Sequence, residues 1–230
     1  MIGAKVGDGY VSKKSRVRKG YNDVRIGHKA KDKEFVEEFA RCLAKVLGRR
    51  QIRPIYRRSL GRYVVEVRSQ TLYELLKKPV DLERLKKYIE HCERCVAAFL
   101  RGFADSEGSV NKHGYIFIYN TDLSLLAYVK DLLRRFNIES TGPRIRVRRG
   151  TIFYDPRTGK QYISNKDCYY IYVRTSSNIN FYRYIGFTIT RKQIRLENYV
   201  KRTTRKPTPP PTISQSILII IITKCAAGGI

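Results

Sequence analysis

Tryptophan is absent from the 230-residue chain, methionine occurs once and histidine three times. So few histidines disfavour nucleases built on histidine-rich metal sites. The five cysteines (Cys42, Cys92, Cys95, Cys168 and Cys225) form an odd, scattered set. That usage suits a reducing cytosol rather than a disulfide scaffold. Long hydrophobic runs are missing too. The longest, Ile217 to Ile222, is far too short to cross a bilayer, and no signal peptide opens the chain. The expectation is a cytoplasmic protein with no membrane partner. An anionic membrane surface would be met by one basic amphipathic helix, whereas the cations here are spread over strand-like segments.

Acidic residues are scarce: 20 Asp and Glu stand against 47 Lys and Arg, a formal charge of +27. Residues 205–230 hold three basic residues and no acids, so +24 belongs to residues 1–204. The excess lies in the folded body and is not a detachable tail. Such a body repels itself unless a polyanion is its working partner, and nucleic acid is the commonest. With hydrophobic residues at 42%, the chain has enough apolar material for one or two cores.

Two halves show the same order of elements. In residues 1–90, Tyr10-Val11 and Val24–Ile26 flank a basic stretch and suggest a hairpin. A helix follows from Lys33, with Phe35, Val36, Phe39 and Leu43 on one face, Asp32 as N-cap and Gly48 as stop. Segments 52–57 and 62–68 suggest a second hairpin, and short helices follow at 71–76 and 82–89. In residues 92–202 the order recurs: a helix at 92–104, a hairpin arm at 115–119, and a helix from Leu123 behind Asp122. Strands at 144–148 and 168–175, joined by a long polar loop, and helices at 179–184 and 192–201 complete it. Asp32 aligns with Asp122, Phe35 with Leu125 and Phe39 with Val129, all at an offset of 90. Residues 203–230 turn Pro-rich and then Ile-rich, and are expected to lie outside the core.

A short motif heads each half. Gly3-Ala4-Lys5-Val6-Gly7-Asp8-Gly9 corresponds to Gly102-Phe103-Ala104-Asp105-Ser106-Glu107-Gly108. Gly3 and Gly7, like Ala98, Gly102 and Ser106, recur every fourth residue, a spacing that lets two helix backbones approach closely. Two such helices packed about a pseudo-twofold axis bring Asp8 and Glu107 side by side at their C-terminal ends. Gly9 and Gly108 would be left-handed C-caps there. Paired carboxylates at negative helix ends call for a counter-ion, and oxygen ligands suit Mg²⁺. Carboxylates holding metal beside a phosphate are the usual arrangement for phosphodiester hydrolysis.

These motifs, above all residues 99–109, resemble the signature of the LAGLIDADG homing endonucleases, in particular the single-chain, two-motif members encoded in archaeal introns. The first copy departs from the family in having only two residues ahead of its glycine. The resemblance implies an α+β fold of two pseudo-symmetric αββαββα halves. Their antiparallel sheets would form a saddle over double-stranded DNA, with the motif helices at the central interface. It implies a monomer that cleaves both strands across the minor groove of a long, imperfectly palindromic target. Asp8 and Glu107 would be the metal-binding acids, with Mg²⁺ as cofactor, Mn²⁺ substituting, and Ca²⁺ binding without cleavage. Asp105 is expected to pack or cap. At the end of the second strand, where the family places groups that order water, stand His28-Lys29 and Tyr119-Asn120. The basic residue that begins the last helix of each half in the family falls near Lys77/Lys78 and Arg191/Lys192.

Alternation along the strands supplies a DNA surface. Arg144, Arg146 and Arg148 share one face, with Ile145 and Val147 on the other. Tyr170, Tyr172 and Arg174 share a face, as do Arg16 and Arg18. Arg25, Arg57 and Arg68 complete the expected contact set. The alternative function is an intron RNA maturase, or a DNA-binding relative that does not cut. His91-Cys92-Glu93-Arg94-Cys95 has one Cys-x-x-Cys but no second pair to complete a zinc site, so both thiols are expected to pack.

Overall fold

The computed structural model describes residues 1–16, 21–156 and 158–204. Helix α1 (Ile2–Val6) leads into strands β1 (Tyr10–Arg16) and β2 (Tyr21–Ala30) and helix α2 (Lys33–Val46). Next come β3 (Ile55–Arg57), β4 (Arg62–Arg68), α3 (Gln70–Leu76) and α4 (Leu82–Ile89). The order then repeats with α5 (Glu93–Glu107), β5 (Gly108–Val110), β6 (Ile116–Asn120), α6 (Leu123–Arg134) and β7 (Ser140–Val147). After a small hairpin, β8 (Ile152–Tyr154) and β9 (Gln161–Ile163), follow β10 (Cys168–Val173), α7 (Asn178–Asn180) running into a π turn at Phe181–Ile185, and α8 (Thr190–Thr203).

The duplication is visible in the sheets. One has the order β1-β2-β4-β3 and the other β5-β6-β10-β7, so each half places its strands first, second, fourth, third. All pairs are antiparallel. Apolar residues on the inner faces, among them Ile26, Val65, Ile118 and Ile171, join α2 and α6 in one continuous core with the motif helices. Equivalent residues on α2 and α6, Phe35 with Leu125 and Phe39 with Val129, are all buried. Asp122 caps α6 by accepting the Leu125 N–H at 3.0 Å. Asp32 stands at the same position on α2 without capping it.

α1 and α5 pack directly against each other, and glycine makes that possible. A Cβ on Gly3 would fall inside the Phe99 carbonyl oxygen, and one on Gly7 would lie 2.6 Å from Ser106 Cβ. From α5, a Cβ on Gly102 would lie 3.0 Å from the Ala4 nitrogen. Ser106 Oγ donates to the Ala4 carbonyl at 3.3 Å, tying the helices where they meet.

Four expectations are corrected. Gly108 is extended (φ −94°, ψ 155°), and Gly9 is not among the glycines of positive φ, so neither is a left-handed cap. Each is needed for close approach instead: a Cβ would strike Ala104 at Gly108 and Lys5 at Gly9. The motif helix α5 runs on to Glu107, so the acid sits in its last turn. The expected polar loop between β7 and β10 contains the β8–β9 hairpin, paired from Ile152↔Ile163 to Tyr154↔Gln161. Finally, Ile145 is 43% exposed, because the pairing of β7 with β10 shifts register twice and interrupts the alternation. Residues 205–230, the bulk of the expected tail, lie outside the described residues.

Candidate active site

Asp8 follows α1, and Glu107 ends α5. The close helix contact places the Glu107 side chain against Gly7, where a Cβ would lie 3.1 Å from Glu107 Cγ. The two carboxylates sense each other. Burial, then the charge of Asp8, push the Glu107 carboxyl up to about 7, against the pull of Lys78 and Lys192. Partial burial also raises Asp8, opposed by Lys192, Arg62 and Lys78. For both acids burial outweighs the surrounding lysine and arginine charge.

The third motif acid has a different task. Asp105 is buried and accepts N–H bonds from Thr188 (2.9 Å) and Ile189 (3.1 Å), just ahead of α8. It caps, as expected. Lys192, in the first turn of α8, buries its ammonium against the end of α5, donating to the carbonyls of Asp105 (2.6 Å), Gly108 (2.5 Å) and Ala104 (3.3 Å). The Asp105 carbonyl is one of those that a helix end leaves without an intrahelical partner, and it is Lys192, not Arg191, that reaches it. Arg191 turns to Asp32 of the first half, with Nε–Oδ1 2.8 Å and Nη2–Oδ2 3.0 Å. A cleft of about 320 Å³ opens between the halves, lined by Asp8, His28, Asp105, Ser109, Arg191 and Lys192.

The strand-end pairs are out of register by one residue. Tyr10 pairs with Gly27, and Ser109 pairs with Phe117. His28 therefore matches Ile118, Lys29 matches Tyr119, and Asn120 matches Ala30. His28 points into the core, its ring centroid 4.7 Å from that of Phe35 and 5.2 Å from that of Phe39. Neither ring nitrogen has a partner among the described residues, and burial pushes the imidazole down to about 4. Lys29 is exposed on the outer face, its ammonium 5.9 Å from the Tyr10 ring centroid. Asn120 Oδ1 accepts the Asp122 N–H at 2.9 Å and closes the turn into α6.

On the outer face of the first sheet, Arg25 is held by Asp23 (2.7 Å) and Glu66 (2.5 Å), and Arg68 by Asp23 (2.9 Å). Tyr10 donates its hydroxyl proton to Glu66 at 2.8 Å. These two expected contact residues, Arg25 and Arg68, thus form a network braced by acids. Arg57 is exposed on β3 and Arg16 ends β1, while Arg18 lies outside the described residues. The second sheet presents Phe117, Tyr119, Tyr170 and Tyr172 in mutual contact. Arg146 stacks 4.6 Å over the Tyr119 ring and donates to its hydroxyl at 2.7 Å. Arg144 and Arg148 are exposed on β7 and just beyond it, and Arg174, past the end of β10, faces Glu139 at 3.4 Å.

Lys5 carries no functional signal in the sequence. It is fully buried, and its ammonium has no hydrogen-bond partner among the described residues. Burial, then the charge of Lys78, push it down to about 8. In the motif alignment it stands opposite Ala104, and a lysine beside small residues resembles a solvated one.

Motif helices paired through glycine, an acid at each C-terminal end and a four-stranded sheet in each half define the LAGLIDADG fold. Residues 94–186 match the family described as LAGLIDADG-like domain, and the chain as a whole is similar to single-chain, two-motif LAGLIDADG homing endonucleases. Structures of mesophilic variants of the homing endonuclease I-DmoI superpose with a TM-score of 0.56 at 21% identity, over 85% of this chain and 94% of theirs. I-DmoI in complex with DNA and Ca gives 0.57 at 20% identity, with the same coverage. An uncharacterized protein of Methanocaldococcus jannaschii is 29% identical over 203 residues, 87% of this chain and 70% of its own length. A second from that organism is 33% identical over 149 residues, 60% of this chain and 54% of its own. Among the described residues no helix is long and apolar enough to cross a membrane.

Proposed function

We propose that the protein is a site-specific, metal-dependent DNA endonuclease of the homing type, acting as a monomer on double-stranded DNA across the two outer sheet faces. The observation that carries this reading is the pair Asp8 and Glu107. Two carboxyls raised by burial, one of them further by the other's charge, stand at the junction of the halves, where the charges of Lys78 and Lys192 only partly offset the rise. Their all-oxygen donor set fits a hard divalent ion, with Mg²⁺ the physiological choice and Mn²⁺ or Ca²⁺ able to occupy the same ligands. Such an ion supplies charge neutralisation at a phosphodiester and a more acidic bound water. That I-DmoI is described in complexes with DNA and Mg, Mn or Ca supports the assignment.

The chain's own residues have separable roles in this proposal. Asp8 and Glu107 hold the ion. Lys192 fixes the end of α5 that carries Glu107, and Lys78 adds positive charge from the first half. Lys29 and Tyr119, at equivalent outer-face positions, are the groups placed to meet DNA beside the acids. His28, inside the core, and Asn120, in a turn, support this surface from behind. The arginines of β4, β7 and their flanks grip the phosphates, since backbone contacts outnumber base contacts. The 1–90 and 92–202 halves would each cover one side of the target.

A supercoiled plasmid carrying the intron-free host gene tests this reading with Mg²⁺ present. Wild-type protein should linearise it, and Asp8→Asn or Glu107→Gln should abolish double-strand cleavage while leaving binding nearly intact. Wild-type protein that binds but never cuts would establish the non-cleaving, maturase-like alternative. Loss of binding in both variants would make the acids structural.

A further inference from the structure

The segment joining the halves holds a cluster that the nuclease reading does not use. His91, Cys92 and Cys95 bring one imidazole nitrogen and two sulfurs within 4.8 Å of one another. The Cys92 thiol points at Cys95 with 3.2 Å between the sulfurs. No other group of three or more such side chains is gathered this closely among the described residues. The helix brings this about: Cys92 is the N-cap of α5 and Cys95 lies one turn on, so both face the side from which His91 enters.

We propose that His91, Cys92 and Cys95 form a zinc site, remote from the paired acids, that clasps the end of the first half to the first turn of the second motif helix. The donors decide the metal. Two thiolates and an imidazole select a borderline-soft ion such as Zn²⁺ and disfavour the Mg²⁺ or Ca²⁺ that carboxylates take. Tetrahedral zinc, with Zn–S of about 2.3 Å and Zn–N of about 2.0 Å, places its ligand atoms roughly 3.5–3.8 Å apart. Small side-chain rotations bring the present cluster to that spacing. His91 is exposed and both cysteines are half-buried, so an ion has a path in and water has room at the fourth position. With α5 spanning 15 residues, the site lies about 20 Å from Glu107. The two metals occupy opposite ends of one helix.

The test uses the full chain, kept reduced by a phosphine that does not bind metal, and Co²⁺ as a spectroscopic stand-in for Zn²⁺. One Co²⁺ per chain should give a thiolate-to-metal charge-transfer band that Zn²⁺ bleaches, and Zn²⁺ should raise Tm. Cys95→Ser and His91→Ala should each weaken Zn²⁺ binding at least tenfold, with the Co²⁺ band lost in the first. Cys42→Ser and Cys168→Ser should leave both signals unchanged. Asp8→Asn with Glu107→Gln should also bind Zn²⁺ normally, so the result is independent of the nuclease reading. Absence of the charge-transfer band in folded wild-type protein would overturn the proposal, as would Zn²⁺ affinity unaffected by Cys95→Ser and His91→Ala.

Discussion

Arg191 of the second half grips Asp32 of the first through two parallel hydrogen bonds, 2.8 and 3.0 Å long. Asp32 has the position of a helix cap, yet its carboxylate turns away from α2, and the guanidinium holds it below its ordinary range. Beside it, the Thr190 N–H donates to Glu34 Oε1 at 2.9 Å. The lip of the cleft is therefore a seam between halves. Arg191 is 55% exposed, so solvent screens much of the attraction. Asp32→Ala should cost about 1 kcal/mol or less in stability. In a double-mutant cycle with Arg191→Ala, the coupling should shrink as salt rises, and a cycle showing no coupling at low salt would refute the seam.

Gly3→Ala should be far more damaging than its size suggests. The added methyl would overlap the Phe99 carbonyl, and backbone on a packed helix cannot rotate out of the way. A loss of about 1–3 kcal/mol is expected from overpacking, read as a drop in the urea midpoint. Gly61→Ala offers a control, because its left-handed conformation (φ +58°) incurs strain while nothing lies within 4 Å of its Cβ. Should Gly3→Ala prove neutral, the helices do not meet as described.

Divalent-cation affinity at the acid pair should climb with pH. The Glu107 carboxyl holds its proton up to about 7, so below that value a metal must displace it. Affinity for Ca²⁺ should then fall by up to tenfold per pH unit on the acid side and level off above about pH 8. Asp8→Asn removes a repelling charge, moving the dependence to lower pH while weakening binding outright. Calorimetry across this range, with the Zn²⁺ cluster blocked by His91→Ala, reads both effects.

Lys5→Met should stabilise the protein. A base whose folded pKa lies near 8, against 10.5 ordinarily, binds fewer protons folded than unfolded between those values. Stability therefore rises with pH through that window, and below it the full penalty of a buried ammonium applies. Removing the amine should raise Tm at neutral pH by roughly 3 °C or more. Lys192, also held near 8 by burial, has the same sign, so the alkaline slope should lessen without vanishing. An unchanged slope would mean that Lys5 reaches water.

How far these features could be read beforehand depends on whether a local pattern anchors them. Asp32 and Asp122, each ahead of an apolar helix face, carried the duplication, and every-fourth small residues placed the helix contact at Gly3, Gly7 and Gly102. Position within the motif, two residues ahead of the terminal acid, separated Asp105 from Glu107. The strand ends failed for lack of an anchor: a one-residue shift exchanges the two faces of a strand, and only the pairing Tyr10↔Gly27 puts Lys29 outward and His28 inward. Long-range partners were invisible as well. Nothing near Lys192 announces the carbonyls of Asp105 and Gly108, and nothing near Arg25 announces Glu66 on another strand.

The two outer faces differ in kind: the first is laced by Arg25, Arg68, Asp23 and Glu66, while the second is paved with Phe117, Tyr119, Tyr170 and Tyr172. Ionic strength should therefore pull the proposed grip apart unevenly. Arg25 and Arg68 of the first sheet must each exchange a carboxylate for a phosphate, and that exchange fades as counter-ions compete. Ring contacts with sugars and bases lose little. Between about 50 and 200 mM salt, a footprint on target DNA should recede from the side covered by the first half while the other side stays protected. A protein with twofold pseudo-symmetry in its backbone would then hold its target by one end at a time.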